Sequence, residues 1–527
     1  MRALKVVAAT LALWMLSIST PQAAGEGNTW TIPGTLRIGI TIQPQSLNPI
    51  LTTTAYEVDL ARLCFDGLLA ITQDGNATPN LAARVPSLAN GDISRDGKTI
   101  RYVLRRNVFW HDGVPFTSED VAFTWRAIMN PKNNLQNRLG YDQVERVNTP
   151  DRYTVVFHMK RPFSPALDSL MGYAVVIPAH LLARYPDLNH IPFNGAPIGT
   201  GPFKLVRWLR GDRVEYVAND RYHLGKPRLR KIVVRIVPQD ATAALQVRTH
   251  EIDWYWRAQT TSFRDSRGIP GIRTLALEQN AHREMILNTT HPPLDDARVR
   301  QAIALAIDRK LLVQRIAFDT AQAACGEVPP LSWAYDPTVR CAYDPGEARR
   351  RLAALGFGPE GKHLHLELVF ASGQEETQAV VIQIQAMLRA VGIDVELHAY
   401  DPSMLFALAA NGGILSSGKF DLDVSGFINR PDPDDSRLLT CANRAPYGFN
   451  ESRYCSPEME AAQRESLESF DRAKRKRAIS RIEHLVVRDA PEIYLWWARE
   501  LHIVNSDISG IATPSGLATQ LPYQWSI

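Results

Sequence analysis

The sequence has little charge imbalance, few cysteines and, after its first residues, no apolar run long enough to cross a membrane. Its 59 Lys and Arg and 55 Asp and Glu give a formal net charge of +4, and both signs are interleaved along the chain. This pattern does not favour nucleic acid as a partner. The single basic run, from Arg472 to Arg477, is interpreted as the solvated face of a helix.

The local motifs of common enzymes are also missing. Neither a Gly-x-Ser-x-Gly elbow nor a His-Glu-x-x-His pair occurs. Gly413 to Lys419 has the spacing of a phosphate loop, but Phe420 occupies the place where a Ser or Thr would meet magnesium. His363 and His365 share a strand face without a third metal ligand close in sequence. The sequence therefore predicts a protein that is not an enzyme and holds no cofactor and no metal.

The first residues predict export. Arg2 and Lys5 precede an apolar run from Val6 to Ile18 and a stretch of small residues that ends at Ala24. This is the pattern of a secretory signal peptide, here residues 1–24, and the apolar run is shorter than the roughly 20 residues of a membrane-spanning helix. No cysteine follows to carry a lipid, so we expect a soluble periplasmic protein.

Five cysteines in an exported chain suggest two disulfides and a remainder. Cys325 and Cys341 enclose a proline-rich loop, and Cys441 and Cys455 enclose a second short loop. Each bridge would stabilise its loop by about 3 kcal/mol. Cys64 lies in an apolar stretch and is interpreted as a buried free thiol. Other pairings remain open.

The second half of the chain has the pattern of a parallel α/β sheet. Apolar residues alternate from Leu364 to Phe370, a helix is predicted from Glu376 to Val391, and alternation resumes from Ile393 to Leu397. Gly392 supplies the helix stop. A strand–helix–strand unit implies parallel strands with a right-handed crossover.

Further elements complete this α/β prediction. One helix is predicted from Val299 to Leu311, and another follows Asp344, which supplies its N-cap. A short strand from Phe420 to Val424 runs into a polar loop at Gly426. The ligand edge is expected where such strands end in loops.

The first half contains a different segment. The strands Ile100–Leu104 and Tyr153–Phe157 flank a helix that begins near Ser118, which predicts an α+β insertion on the N-terminal lobe. By length, about three domains are expected.

One stretch carries a family signature. The run from Ser94 to Arg105, followed by Phe109 to Val121, resembles the peptide and nickel class of extracellular solute-binding proteins, the family of oligopeptide- and dipeptide-binding proteins. Supporting segments occur in the family's order: Ser46–Pro49, Phe65–Leu68, Gly199–Phe203, Arg298–Ala302, Ala306–Asp308 and Pro431–Pro433.

The resemblance implies an α/β fold of the two-lobed periplasmic-binding-protein kind, type II, in the large three-domain cluster. The implied N-terminal lobe comprises residues 25–66, 199–285 and 491–527, the inserted α+β subdomain residues 67–198, and the C-terminal lobe residues 286–490. A bridge between Cys441 and Cys455 is implied as well.

The same resemblance implies capture of a small ligand, a peptide or a peptide-like compound, between two hinged lobes and delivery to the permease subunits of an ABC importer. We expect a monomer. The alternatives are an opine-type or metal-chelate binding protein of the same family, a sensor or chaperone that binds without transport, and a secreted hydrolase on a related fold.

In peptide-binding members an aspartate on the loop after the last strand of the C-terminal lobe pairs with the ligand's ammonium group. The similar segment here is Gly426 to Pro433, and either alignment of it places Arg430 or Asn429 where the acid stands. Arginine offers a planar fork for a carboxylate or phosphate. We therefore expect an anionic or amine-blocked ligand.

Further predicted ligand contacts are Phe427 and Asp432 on this loop. Tyr56 is placed by resemblance on a first loop that faces the cleft, and Trp496 is a weaker prediction. The alternative for Arg430 is an ion pair with Asp432 or Asp434 that only braces the loop.

Overall fold

A computed structural model describes residues 27–72, 74–135, 138, 140–170, 175–358, 361–511 and 521–527. The predicted signal peptide lies outside these residues.

The chain begins with a strand and a capped helix that lead into the insertion. Thr54 caps the first helix, because its side chain and that of Glu57 form a reciprocal capping box. The elements are β1 (Thr35–Ile40), α1 (Ala55–Cys64), β2 (Leu69–Ile71), β3 (Ala77–Pro79), β4 (Thr99–Val103), α2 (Ser118–Met129), β5 (Val144–Asp151), β6 (Thr154–Met159), α3 (Ala166–Ser169) and α4 (Ala179–Leu182). We call residues 69–182 the insertion. Its three-stranded antiparallel sheet, in the order β4-β6-β5, agrees with the predicted strands and helix.

The chain then returns to the first lobe and crosses to the second. The returning elements are β7 (Phe203–Leu209), β8 (Arg213–Ala218), β9 (Lys231–Ile236), α5 (Asp240–Arg248), β10 (Trp254–Tyr255), α6 (Thr260–Asp265) and β11 (Ile272–Leu287). The elements of the second lobe are α7 (Ala297–Ala306), α8 (Arg309–Arg315), β12 (Gln322–Ala323), α9 (Pro345–Ala354), β13 (Leu364–Ala371), α10 (Glu375–Arg389), β14 (Ile393–Tyr400), α11 (Pro402–Leu405), α12 (Ile414–Ser417), β15 (Leu422–Ile428), α13 (Ser436–Leu439), α14 (Pro457–Glu468), α15 (Arg472–Asp489) and β16 (Glu492–Asn505).

A mixed sheet of 11 strands connects the two lobes. Its order is β14-β13-β15-β11-β16-β10-β1-β9-β8-β7, and β12 pairs with β16. The antiparallel strands β11 and β16 pair from Ile272 opposite Asn505 to Ile286 opposite Glu492, so both reach from one lobe into the other. The predicted domain division stays a prediction, and its boundary at 285/286 falls inside β11.

Two large hydrophobic cores correspond to the two lobes. One combines the first lobe with the insertion and includes Ile38, Trp110 and Trp254. The other, in the second lobe, includes Ile303, Leu366 and Val424. The insertion therefore shares a core with the first lobe.

The predicted strand–helix–strand unit is present. Strands β13 and β14 are parallel, α10 lies between them in the chain, and Gly392 has a φ of +89°. The helix predicted from Val299 to Leu311 is wrong in one respect, because it is broken between α7 and α8. The Asp308 side chain accepts a hydrogen bond from the Leu311 amide at 3.0 Å and so caps a new helix.

Two other expectations concern β15 and the cysteines. Strand β15 continues through Gly426 to Ile428, beyond the predicted end, because β11 supplies pairing partners up to Ala281. The structure contains the Cys325–Cys341 and Cys441–Cys455 disulfides. Cys64 is buried and free. No helix among the described residues is long and apolar enough to span a bilayer.

Candidate functional site

Three strands of the second lobe end at one edge of the sheet. The central strand β13 runs parallel to both β14 and β15, so their carboxyl ends lie together. Ligands of open α/β sheets bind outside the carboxyl ends of the strands. The last of these strands leads into residues 429–435, which we call the β15 loop, and Ile428 before it is 57% exposed.

Asn429 is held by the protein itself. Its amide nitrogen donates to a carboxylate oxygen of Glu327, and its amide oxygen accepts from Arg437 Nη2 at 3.0 Å. Its backbone N–H donates to the Asn280 carbonyl at 2.6 Å. These bonds fix the Asn429 side chain at the base of the β15 loop.

Arg430 differs from its neighbour. It is half-buried, and its guanidinium has neither a hydrogen bond nor an ion pair with the described residues. Asp432 pairs instead with Arg475, through two hydrogen bonds of 2.5 and 2.6 Å. Asp434 accepts from the Ser436 amide at 3.1 Å. The brace by Asp432 or Asp434 that was the alternative for Arg430 is therefore absent.

Phe427 lies beside the β15 loop, at the end of strand β15. It is half-buried and packs against the cluster that contains Leu405 and Phe420. The guanidinium carbon of Arg437 lies 5.6 Å from the centre of the Phe427 ring. One residue of the second lobe, Arg437, thus contacts both Phe427 and Asn429.

Buried carboxyl groups lie beneath the β15 loop. Burial raises the pKa of Glu284 and of Glu483 to about 8, and that of Asp435 to about 7. Burial also raises the pKa of Glu327. His282, which lies 3.3 Å from the Asn429 amide nitrogen, has a pKa lowered by burial to about 3.

These shifts follow from the cost of keeping a charge away from water. The Glu483 carboxylate accepts from the amides of Glu327 and Val328, both at 3.3 Å. Glu492 accepts from the Tyr494 hydroxyl at 2.9 Å. Protonated acids therefore form part of the support beneath the β15 loop.

Tyr56 and Trp496 are buried in this conformation, at 6% and 2% exposure. The Tyr56 hydroxyl lies 3.1 Å from the Thr41 hydroxyl and donates to the Trp256 carbonyl at 3.3 Å. Trp496 belongs to the core of the second lobe. The structure does not bring either ring to the β15 loop surface with Phe427 and Arg430, and their ligand contacts stay predictions.

The sequence analysis did not find Glu327 and Arg437, which hold Asn429. Arg437 is eight positions from Asn429, on the helix that follows the loop, so local spacing offered a signal. Glu327 is 102 positions away and no pattern links the two. Among the described residues, no group of three or more His, Cys, Asp or Glu side chains is arranged to hold a metal ion.

Comparison with known families gives one match over most of the chain. The sequence model of the bacterial extracellular solute-binding proteins, family 5, middle region, matches residues 78–448.

Individual proteins agree with this match. The chain is 28% identical to di/tripeptide-binding protein 2 of Pseudomonas aeruginosa over 471 residues, which cover 84% of this chain and 86% of that protein. It is 27% identical to the glutathione-binding protein GsiB of Pectobacterium atrosepticum over 509 residues, with 94% and 95% covered. The fold is similar to that of the ABC transporter substrate-binding protein CtaP of Listeria monocytogenes, with a TM-score of 0.82, 22% identity and coverage of 94% and 99%.

Proposed function

This chain belongs to the bacterial extracellular solute-binding proteins of family 5, and on that premise we propose that it captures a peptide or peptide-like ligand between its lobes outside the cytoplasm. It then delivers the ligand to the permease subunits of an ABC importer. Members of the family are binding proteins, and this chain acts as one, as a soluble periplasmic monomer. The names of two relatives, which bind di- and tripeptides and glutathione, support a peptide or a peptide conjugate.

The observation that carries the ligand chemistry is Arg430. A half-buried guanidinium with neither a hydrogen bond nor an ion pair to the described residues, at the sheet edge where ligands bind, can accept a carboxylate or phosphate in its planar fork. Phe427 and the exposed Ile428 supply apolar surface beside it. The ligand therefore carries an anionic group that Arg430 binds.

The neighbouring side chains have structural roles. Asn429 positions the loop through Glu327 and Arg437, and Asp432 holds the loop to α15 through Arg475. The three acids of the β15 loop, Asp432, Asp434 and Asp435, accept hydrogen bonds from Arg475, the Ser436 amide and Gln463, respectively. The ligand's amine is either blocked or bound elsewhere.

A titration of Arg430→Ala tests this assignment. The probes are the ligand recovered by mass spectrometry from natively purified protein, glutathione, and trialanine amide, which has no carboxylate. We expect at least a tenfold loss of affinity for anionic probes, because hydrogen bonds to charged groups contribute about 1.5–3 kcal/mol.

The control is Arg389→Ala, which removes an exposed arginine at the C-terminal end of α10 and should leave affinity unchanged. Unchanged affinity of Arg430→Ala for every anionic probe would contradict the role of Arg430. Recovery of a ligand with no peptide-like group would contradict the proposed function.

A further inference from the structure

A cavity of about 310 Å³ lies between the insertion and the second lobe. Its volume is at the lower end of the range of small-molecule sites, about 300–1,000 Å³. Residues that line it include Asp168 of the insertion and Trp333, Asp432, Phe470 and Arg475 of the second lobe. The cavity can hold a compact ligand or the end of a longer one.

Asp168, on α3, is an acceptor without a donor in this cavity. It is 5% exposed, and neither carboxylate oxygen makes a hydrogen bond with a described residue. The backbone N–H of Asp432 is close enough to lower the pKa of Asp168, yet it does not reach hydrogen-bond geometry. Buried carboxylates in native proteins almost always have such a partner, so a group that lacks one indicates a missing ligand, ion or water.

Arg475, in the part of the lining that belongs to the second lobe, provides a donor without an acceptor. Two of its nitrogens bind Asp432, but its Nε, in a residue that is 5% exposed, has no hydrogen bond with the described part of the chain. The lining of the cavity therefore includes an unsatisfied acid of the insertion and an unsatisfied N–H of the second lobe. A ligand that satisfies both needs a donor and an acceptor.

The remaining walls combine charge balance with apolar surface. The charged groups that act on Asp168 are Arg430, Arg475 and Asp432. Trp333 is half-buried, and the guanidinium carbons of Arg472 and Arg475 lie 4.7 and 5.6 Å from its ring centre. Three arginines, Arg430, Arg472 and Arg475, and two acids, Asp168 and Asp432, thus lie in or near the lining, and charges of both signs suit a zwitterion better than a simple ion.

We propose that this cavity binds the amino end of a small zwitterionic peptide, with the free ammonium group on Asp168 and a carbonyl or carboxylate oxygen of the same ligand on Arg475 Nε. The proposal rests on the proposed function, since it assigns a site to the ligand amine, which the proposed function leaves without one. Asp168 therefore determines specificity for a free amine.

Proton release follows from the same geometry. Burial raises the pKa of Asp168 to about 7, against the opposing effect of Arg430. At pH 7 the carboxyl group is about half protonated, and a bound ammonium group would drive it to the ionised form. Binding of a free-amine peptide should then release about half a proton.

The test is calorimetric titration with a panel of free dipeptides and the same panel N-acetylated. We expect the native protein to bind at least one free dipeptide at least tenfold more tightly than its acetylated form. Asp168→Asn should reduce that preference to less than twofold. Asp220→Asn, which removes an exposed acid paired with Lys226, should behave as the native protein.

A second measurement needs no variant. Titration of the native protein at pH 7 in two buffers of different ionisation enthalpy should give net proton release with the free dipeptide and none with the acetylated form. A merely structural Asp168 would change stability without changing either the preference for a free amine or the proton release.

The proposal would be overturned by equal binding of free and acetylated peptides by the native protein, by an unchanged preference in Asp168→Asn, or by no proton exchange. Failure of both panels to bind also overturns it, whereas the proposed function falls only if the natively recovered ligand is not peptide-like.

Discussion

Gly75 marks the closest approach of the β2–β3 hairpin to the second lobe. A Cβ atom at this position would lie 2.5 Å from Trp333 Cδ1 and 3.2 Å from the Pro431 carbonyl oxygen. The residue also has a φ of +78°. Only a residue without a side chain fits both the backbone and the neighbours. Because Gly75 has no side chain, the β2–β3 hairpin can pack against Trp333 in the wall of the cavity.

Gly75→Ala should weaken this contact. We expect a decrease in the free energy of unfolding about 1–3 kcal/mol greater than that of Gly91→Ala, because overpacking adds to backbone strain. Gly91 has a similar φ of +70° and open space around its Cβ position, so it measures the strain alone. Urea denaturation of both variants provides the comparison. Equal losses in the free energy of unfolding would show that the close approach to Trp333 does not add to the cost of the substitution.

Among the secondary-structure elements, the break between α7 and α8 shows how a local cap overrides an apolar pattern. Apolar residues continue through Ile307 with helical spacing, yet Asp308 accepts from the Leu311 amide and starts a new helix. The N-cap residue has non-helical backbone angles, so the preceding helix must end. A pattern of apolar residues thus located the helical region but not its division.

Asp308→Ala should lower the free energy of unfolding by about 1 kcal/mol, the usual contribution of an N-cap side chain. Asp308→Asn keeps an oxygen that can accept the Leu311 hydrogen bond and should stay within about 0.5 kcal/mol of the native protein. Chemical denaturation measures both. An equal loss in the two variants would contradict the assignment of the effect to capping.

The buried acids beneath the β15 loop predict a dependence on pH. An acid whose pKa is raised on folding binds more protons in the folded chain, so the free energy of unfolding falls as pH rises. For Glu483 the window runs from its ordinary pKa of 4.5 up to about 8. Glu500, whose pKa is lowered to about 2, mainly by Arg257 against the cost of burial, acts only below this window.

Glu483→Gln should therefore flatten the pH dependence between pH 5 and pH 8. We expect a difference on the order of 1 kcal/mol per pH unit between the slopes of the native protein and the variant. The control is Glu465→Gln, which removes a half-buried acid paired with Arg481. Denaturation at several pH values measures the slopes. Parallel curves would contradict the titration of Glu483 in this range.

For the whole molecule, the second lobe contacts both the insertion and the first lobe. Arg472 donates to Asn76 at 2.9 Å, and the Trp333 amide donates to the Asp74 carbonyl at 3.2 Å. On the first lobe, the Thr260 hydroxyl donates to Glu376 at 3.3 Å. These bonds exist only while the lobes are together, so they favour the closed arrangement in which the ligand is enclosed.

Arg472→Ala should shift the molecule toward an open arrangement. Loss of one hydrogen bond, worth about 0.5–1.5 kcal/mol, should lower ligand affinity about two- to tenfold and increase the radius of gyration measured by small-angle scattering. Lys476→Ala, on an exposed face of the same helix, is the control. Normal affinity in Arg472→Ala would show that this contact does not bias closure.

The sequence by itself determined the elements whose causes are local. The alternation from Leu364 to Phe370, the stop at Gly392 and the cap at Asp344 involve neighbours within a few positions, so the α/β class and the unit β13–α10–β14 could be predicted. The family resemblance rested on local runs as well, chiefly Ser94 to Val121.

Only the tertiary structure decided what the polar groups of the site do. Asn429 and Arg430 are adjacent, and from sequence either could be the ligand contact. Glu327, 102 positions away, binds Asn429, whereas Arg430 makes no hydrogen bond or ion pair within the described ranges. Asp168 gave no signal, and Arg475 belongs to the basic run that was interpreted as a solvated face, although it is buried in the structure. The significance of both depends on side-chain atoms that lack a hydrogen bond with the residues described. Burial and pairing are set by residues distant in the chain, which no local pattern can encode.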